Sequence, residues 1–485
     1  MAPHTFLWHD YETFGVQPRR DRPAQFAAIR TDAELNEIGD PLMLYCQPAQ
    51  DYLPDPQACL ITGITPQFCL AHGVPEYKFA ETIEQAFSKP GTIGVGYNTI
   101  RFDDEVTRFM FWRNLIDPYA REWQNNCGRW DILDMVRTAH ALRPEGIEWP
   151  KQEDGRPSFK LERLAAANGL LHESAHDALS DVRATIALAR LIRQRQPKLF
   201  DFCMALHKKD RVSEEIGWPQ QQPFLHVTGM VPAERGCIAL VWPLATHPTN
   251  RNEVIVWDLA HDPAELAGMT ASQIRLRMFS KAEALPEGVT RLPIKTIHLN
   301  KSPIVIQNLK ILSTEMAQRW VIDLETALEH ARNAAAATIP ASIWNEVFER
   351  EAQAQPDVDE DLYGGFVGKN DCNLLEKLRR QTPQQLAGAA LQFDDARLEE
   401  LVFRYRARNF PDSLDADDAA RWEQHRAARL FDGAGNARTV EQLFDEIDTL
   451  SESLAENPSE DAAARGEEIL GALYDYAETI APARA

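Results

Sequence analysis

No apolar run in this chain approaches the roughly 18–20 residues that a membrane helix requires. Met1 to Phe14 have neither the basic region nor the long apolar stretch of a signal peptide, which sets the expectation of a mature cytoplasmic protein starting here. Cysteine is sparse. Cys46, Cys59, Cys69, Cys127, Cys203, Cys237 and Cys372 are scattered, odd in number and without a CxxC pair. That excludes a zinc ribbon and argues against a disulfide framework, so free thiols in a reducing compartment are expected. Internal repeats and low-complexity tracts are also missing. Positive charge is in deficit, with a formal net charge of −22. A nucleic-acid-binding protein usually presents a basic surface. Either the substrate is not a polyanion, or basic residues are focused in one groove while acidic helices near the C-terminus carry the excess.

What is present is a globular composition, 44% hydrophobic and 26% charged. A length of 485 residues is too great for one ordinary core and predicts two or three domains. Residues 1–195 alternate between strand and helix patterns. Strands are expected at Thr5–Tyr11, from Gln25, from Pro41 and from Thr92. Helices are expected at Lys78–Ser88, from Asp103, at Asp131–Leu142, Lys160–Asn168 and Ser180–Gln194. This is an α/β pattern, a mixed central sheet with helices on both faces. Residues 196–345 change character. Short β-prone runs at Phe224, Cys237, Glu253 and Ile294, separated by Pro, Gly and Asn, predict a small β-rich barrel. Residues 346–485 are helical in spacing, after a polar linker at Glu351–Asp361.

The chemistry concentrates in five residues. Asp10 and Glu12 lie two apart at the end of a strand, so both face one side. Two such carboxylates repel unless a cation sits between them. Asp103 falls at a helix start, where an ordinary cap is the competing reading; Asp104 and Glu105 could serve that cap equally. Asp181 opens the long helix after Ser180, and His176 precedes it by five residues. Separately, each has a structural explanation. Together, four carboxylates and one imidazole in this order suit a site that binds two divalent ions and cuts a phosphodiester.

The Asp-x-Glu, Asp, His-x4-Asp order resembles the DnaQ-like 3′–5′ exonuclease superfamily, in its histidine-bearing branch. The surrounding peptides go further. His9-Asp-Tyr-Glu-Thr-Phe-Gly15, Gly96 to Arg108, Ala141-Leu-Arg-Pro-Glu-Gly-Ile147, His247 to Asn252, His298 to Pro303 and Tyr405 to Pro411 resemble the bacterial exodeoxyribonuclease I family over nearly the whole chain. The resemblance implies an RNase H-like exonuclease domain, an SH3-like barrel and a C-terminal helical domain wrapped around single-stranded DNA. It implies two Mg2+ ions, which Mn2+ can replace, held by Asp10, Glu12, Asp103 and Asp181. His176 would deprotonate or orient the attacking water. The product would be a 5′-mononucleotide released stepwise from a 3′ end, in DNA repair and recombination. A closed channel around the strand would favour processive action.

The same resemblance places substrate contacts on Glu12, Thr13, Arg108, Tyr119, Trp123, Arg137, Arg143, Phe159 and Lys160, and on Asn252, Asn300 and Lys301 in the barrel. Lys160 departs from the family's usual arginine and loses its planar fork. Single-stranded DNA-binding protein, through its acidic tail, is the implied protein partner of a monomeric enzyme. Arg404, Arg406 and Arg408 alternate in an aromatic stretch and could line a groove, pin the helical domain or take that tail. Two other readings compete: an RNA-trimming exonuclease of the same superfamily, and a non-catalytic strand-binding protein.

Overall fold

The computed structural model describes residues 4–170, 178–337, 340–349, 355–387, 392–455 and 460–482. The chain packs as two units, residues 1–128 with 172–183 and 354–485, and residues 129–171 with 184–353. Through the first 195 residues the elements run β1 (Thr5–Thr13), β2 (Pro23–Thr31), β3 (Leu42–Tyr45), α1 (Pro56–Thr62), α2 (Pro66–His72), α3 (Glu76–Phe87), β4 (Thr92–Gly96), α4 (Asp103–Arg113), β5 (Gly128–Asp131), α5 (Leu133–Leu142), α6 (Leu161–Ala167) and α7 (Ala178–Arg195).

In the first unit β1 is central. It pairs antiparallel with β2 and parallel with β4, and β2 pairs antiparallel with β3. Phe6, Leu7, Trp8 and Tyr11 are all buried, as a strand covered on both faces requires. The predicted strands and helices of this region are present, with ends shifted by a few residues. Helices α1 and α2 were not anticipated, although their start signals stand in the sequence. Asp55 and Thr65 each cap a helix by accepting from the backbone N–H three residues on, and each is followed by proline.

The C-terminal part is helical as expected, with long helices at Arg397–Asn409, Ala416–Leu430, Val440–Ala455 and Glu460–Ile480. It docks on the sheet layer through two apolar clusters. Leu443, Leu470, Leu473 and Tyr476 pack with Phe14, Tyr52, Cys59 and Cys69. Leu375, Leu398, Leu401 and Tyr405 pack with Phe109 and Trp112 of α4.

Between these clusters lies a buried ionic core. Arg408 binds Asp51 at 2.7 Å through Nη2 and Asp359 at 3.0 Å through Nη1. Arg404 binds Asp357 at 2.6 Å, Arg22 reaches Asp359 at 3.4 Å, and Arg113 binds Glu76 at 2.8 Å. Of the three roles open to Arg404 and Arg408, the structure selects the pin. Arg406 instead pairs with Asp418 inside the helical part. The expected linker Glu351–Asp361 is corrected at its C-terminal end. Val358–Glu360 forms a 3-10 turn, and Asp359 is buried in the ionic core. Polarity marked that segment as solvated, but its carboxylates are the counterions of buried arginines.

The second unit holds α5, α6 and an antiparallel sheet. Strands β6 (Phe224–Val227), β7 (Ile238–Thr246), β8 (Glu253–Asp258), β9 (Ile294–His298) and β10 (Ile304–Ile306) pair in the order β10-β6-β7-β8-β9. The register slips between Pro243 and Ala245 in β7, where proline removes a ladder donor. Four of these strands were expected; β10 was too short to register. The barrel region also carries a helix at Ala271–Phe279 with a full capping box on Thr270 and Gln273.

Burial alone would raise the Asp51 carboxyl, but Arg408 and its other partners more than offset this and hold it well below the usual range. A depressed carboxyl stabilises the fold above its unfolded pKa, and that stability is lost as pH falls toward the folded value. Arg408→Ala would leave Asp51 and Asp359 buried without their main counterion, at a cost of about 3–5 kcal/mol. Urea unfolding at neutral pH checks this, and the deficit should shrink as the carboxylates protonate in acid.

Candidate active site

The site is assembled from the ends of three elements of the first unit. Strand β1 supplies Asp10 and Glu12, which face the same side while His9 and Tyr11 face the other. Opposite them in β2 stand Ala27 and Gln25, and the register slips between Glu12 and Thr13. A bulge at that point ends regular pairing beside the carboxylates.

Asp103 arrives by a tight route. Strand β4 stops at Gly96, where a Cβ would lie 2.8 Å from the His9 carbonyl, so no larger residue fits. Asn98 then takes a left-handed conformation with φ of 66°. One 3-10 turn, Thr99–Arg101, leads to α4. After the N-cap Phe102, which makes no side-chain cap bond, Asp103 is the first residue of that helix. Its Oδ1 instead accepts the backbone N–H of Tyr11 at 3.1 Å, which ties α4 to β1. Thr107, one turn on, bonds the Asp103 carbonyl and the Tyr11 hydroxyl. The plain helix-cap reading of Asp103 is therefore replaced by a cross-element contact.

Asp181 comes from the first turn of α7. Asp10, Glu12 and Asp181 each offer an oxygen, and these atoms lie within 4.8 Å of one another. Asp103 stands close enough for its charge to weigh on Asp10. The Asp10 carboxyl is pushed well above the usual carboxylate range, first by burial, then by Asp103, Glu12 and Asp181. Such crowding of hard oxygen donors is relieved by a divalent cation. His176 lies outside the described residues.

The other expected contacts divide between the two units. In the first, Thr13 is buried and its hydroxyl donates to the Gly15 carbonyl at 2.6 Å. Arg108 is buried in an ionic cage, with Glu122 at 2.7 Å and Glu105 at 2.8 Å, and its guanidinium lies 5.3 Å from the Tyr119 ring centre. Trp123 is 66% exposed.

In the second unit, Arg137, Arg156, Phe159, Lys160 and Arg163 line a cleft of about 730 Å³. Arg137 is held by Asp134 at 2.5 Å and lies 5.9 Å from the Phe159 ring centre. Arg143 donates to the Leu142 carbonyl. In the barrel, Asn252 accepts from Lys209 at 2.6 Å, and the Asn300 carbonyl accepts from Arg129 at 3.0 Å. Lys301 follows Asn300 in the turn after β9. Arg156 and Arg163 went unremarked in the sequence. The signal was available, since both flank Phe159 and Lys160 within seven residues of chain.

Three family models match the chain in succession. An exonuclease family model matches residues 7–189, the exonuclease I SH3-like domain matches 207–350 and the exonuclease I C-terminal domain matches 356–480. The chain is 44% identical over 481 residues to exodeoxyribonuclease I of Escherichia coli K12, covering 98% of each chain. It superposes on exonuclease I of Methylocaldum szegediense with a TM-score of 0.93 at 47% identity, covering 99% of this chain and 100% of that one. The E. coli enzyme in complex with a dA16 oligonucleotide gives 0.91 at 43% identity, with 98% and 100% covered. An ExoI complex with SSB-Ct gives 0.89 at 42% identity, with 99% of each covered. The RNase H-like sheet, the curled antiparallel SH3-like sheet and the helical C-terminus are thus those of relatives matched end to end, and the chain belongs to the exodeoxyribonuclease I family.

Proposed function

We propose that the chain removes 5′-mononucleotides from the 3′ end of single-stranded DNA, with two Mg2+ ions held by Asp10, Glu12, Asp103 and Asp181. The observation that carries this reading is the convergence of Asp10, Glu12 and Asp181 within 4.8 Å, with Asp103 bonded to the backbone between Asp10 and Glu12. The donors are all hard oxygens, the set Mg2+ prefers, and Mn2+ is compatible with it. When bound, a pair of such ions stabilises the attacking and leaving oxygens of an in-line displacement.

The chain's own groups do the rest. The four carboxylates fix the position of the scissile phosphate by fixing its counter-charges. His176 takes, or orients, a proton of the attacking water, for which an imidazole titrating near neutrality is suited. Trp123 and Phe159 stack on bases without reading sequence, and Lys160, Arg137 and Arg143 neutralise phosphates. Asn252, Asn300 and Lys301 extend the contact onto the barrel. Thr13 and Glu12 position the terminal nucleotide. Arg108 is already paired with two glutamates, so its part is to hold Tyr119 in place.

The complexes known for relatives support the partners, single-stranded DNA and the C-terminal tail of single-stranded DNA-binding protein. Among the described residues no helix is long and apolar enough to cross a membrane. We place the activity in cytoplasmic DNA repair and recombination, where free 3′ strands arise.

Asp10→Ala or Asp181→Ala should lower kcat by about a thousandfold, since losing a cation ligand forfeits several kcal/mol of transition-state stabilisation. Release of mononucleotides from a 5′-labelled strand in Mg2+ measures this; undiminished release would sink the enzymatic reading, and matched RNA would separate the exoribonuclease alternative. Trp123→Ala should instead raise KM about tenfold, the loss of one stacked base at roughly 1–3 kcal/mol, with kcat on saturating DNA little changed.

The raised Asp10 carboxyl sets a pH dependence. Without a cation, the folded state keeps a proton that the unfolded chain has released, so stability declines as pH rises from the ordinary carboxylate value through the folded one. A divalent ion removes that penalty by replacing the proton. Melting curves between pH 5 and 8 should therefore show a Mg2+-induced rise in Tm that grows with pH; a rise independent of pH would count against the shared carboxylate site.

A further inference from the structure

Behind the carboxylate cluster lies a buried charged pair for which the reaction has no direct use. Asp104 is 1% exposed and Arg121 is 2% exposed. Arg121 Nη2 donates to Asp104 Oδ1 at 2.5 Å. Arg121 comes from the 3-10 turn Ala120–Glu122, and its guanidinium lies 4.6 Å from the Phe87 ring centre. Its Nη1 stands over β4 where a Cβ on Gly94 would meet it at 3.4 Å. The Nε and Nη1 of Arg121 and the Nε2 of the neighbouring His9 have no partner among the described residues. The His9 ring stands perpendicular to Phe87 at 5.0 Å.

As a source of stability this arrangement is poor. Burying an ion pair costs desolvation that its attraction rarely exceeds, and two donors of Arg121 go unpaired. An apolar pair of similar volume would hold α4 as firmly. What an apolar pair would not supply is direction. Asp104 follows Asp103 in the first turn of α4, and that turn has no capping side chain to orient it. A directional bond from Asp104 to a guanidinium wedged between Phe87 and Gly94 stops the turn from rotating about the helix axis. The carboxylate of Asp103, one residue earlier, then stays on the Tyr11 N–H and within reach of Asp10.

We infer that Asp104 and Arg121 are positioning residues, a buried pair that aims Asp103 at the Asp10, Glu12 and Asp181 cluster and so sets the affinity of the cation site. This rests on the reading that those four carboxylates hold divalent ions. Outer partners of this kind typically alter metal affinity or activity about 10–100-fold when changed.

The test is direct Mn2+ binding by calorimetry on the full chain, alongside kinetics on single-stranded DNA. Asp104→Asn should weaken Mn2+ binding about 10–100-fold and lower kcat, with KM for DNA unchanged. Arg121→Lys, which keeps the charge but not the fork, should fall between Asp104→Asn and the parent. The double variant Asp104→Leu with Arg121→Leu should fold, because apolar replacement of a buried pair is often neutral or stabilising, and should still bind Mn2+ weakly. If the double variant folds and binds Mn2+ as the parent does, the pair is merely structural and the inference is overturned. Failure of the double variant to fold would overturn it as well, by making the pair a determinant of the fold. Asp103→Ala is the reference. Unaltered Mn2+ binding in that variant would refute the metal site itself, whereas a loss there without a loss in the Asp104 and Arg121 variants refutes only the positioning role.

Discussion

Crowding of negative charge at the end of β1 is the constraint around which the first unit is arranged. Asp10, Glu12 and Asp181 bring oxygens within 4.8 Å, and Asp103 adds a fourth charge nearby. Nothing about folding favours this, since carboxylates so close raise one another's pKa and oppose the compact state. The fold tolerates it by delivering the four groups from separate, well-anchored elements. A central strand covered on both faces carries two, a helix start tied to that strand carries the third, and the first turn of a second helix carries the fourth. The strain of assembling the site is thereby borne by packing elsewhere.

Helix α4 shows how that packing is distributed. One end presents Asp103 to the site and Asp104 to Arg121. Its body buries Phe109 and Trp112 among Leu375, Leu398 and Leu401 of the helical C-terminal part. Beside it, Asp51, Asp357 and Asp359 neutralise Arg404 and Arg408. The helical part is therefore packed against the body of the helix that carries Asp103.

The central strand, the three carboxylate-bearing segments and the alternating pattern of the first 195 residues were legible because each has a local signature: period two in Thr5–Thr13, a carboxylate at a helix start, an apolar stripe after Ser180. Helices α1 and α2 had signatures as well, Asp-Pro and Thr-Pro, but their seven residues were too few to show a period. Strand β10, at three residues, gave none. Burial of charge was the least legible feature. Asp359 in a polar segment and Arg121 beside Trp123 look like surface residues, because a residue type does not reveal a partner distant in the chain. The pairing of Arg108 was equally hidden; its two glutamates are 3 and 14 residues away, and nothing in their spacing announces a cage.

That same burial removes cations from the surface of an acidic protein. Arg22, Arg108, Arg113, Arg121, Arg404 and Arg429 are all buried, and each has a carboxylate partner. Each such pair is close to neutral, so the formal −22 stays with the remaining residues. Outside those buried pairs, Arg137, Arg156, Lys160 and Arg163 gather around Phe159 in the cleft of the second unit. In the proposed reading, the cations there neutralise phosphates and the Phe159 ring stacks on a base. Stacking accepts any base. It therefore suits an enzyme that must advance along a strand of arbitrary sequence.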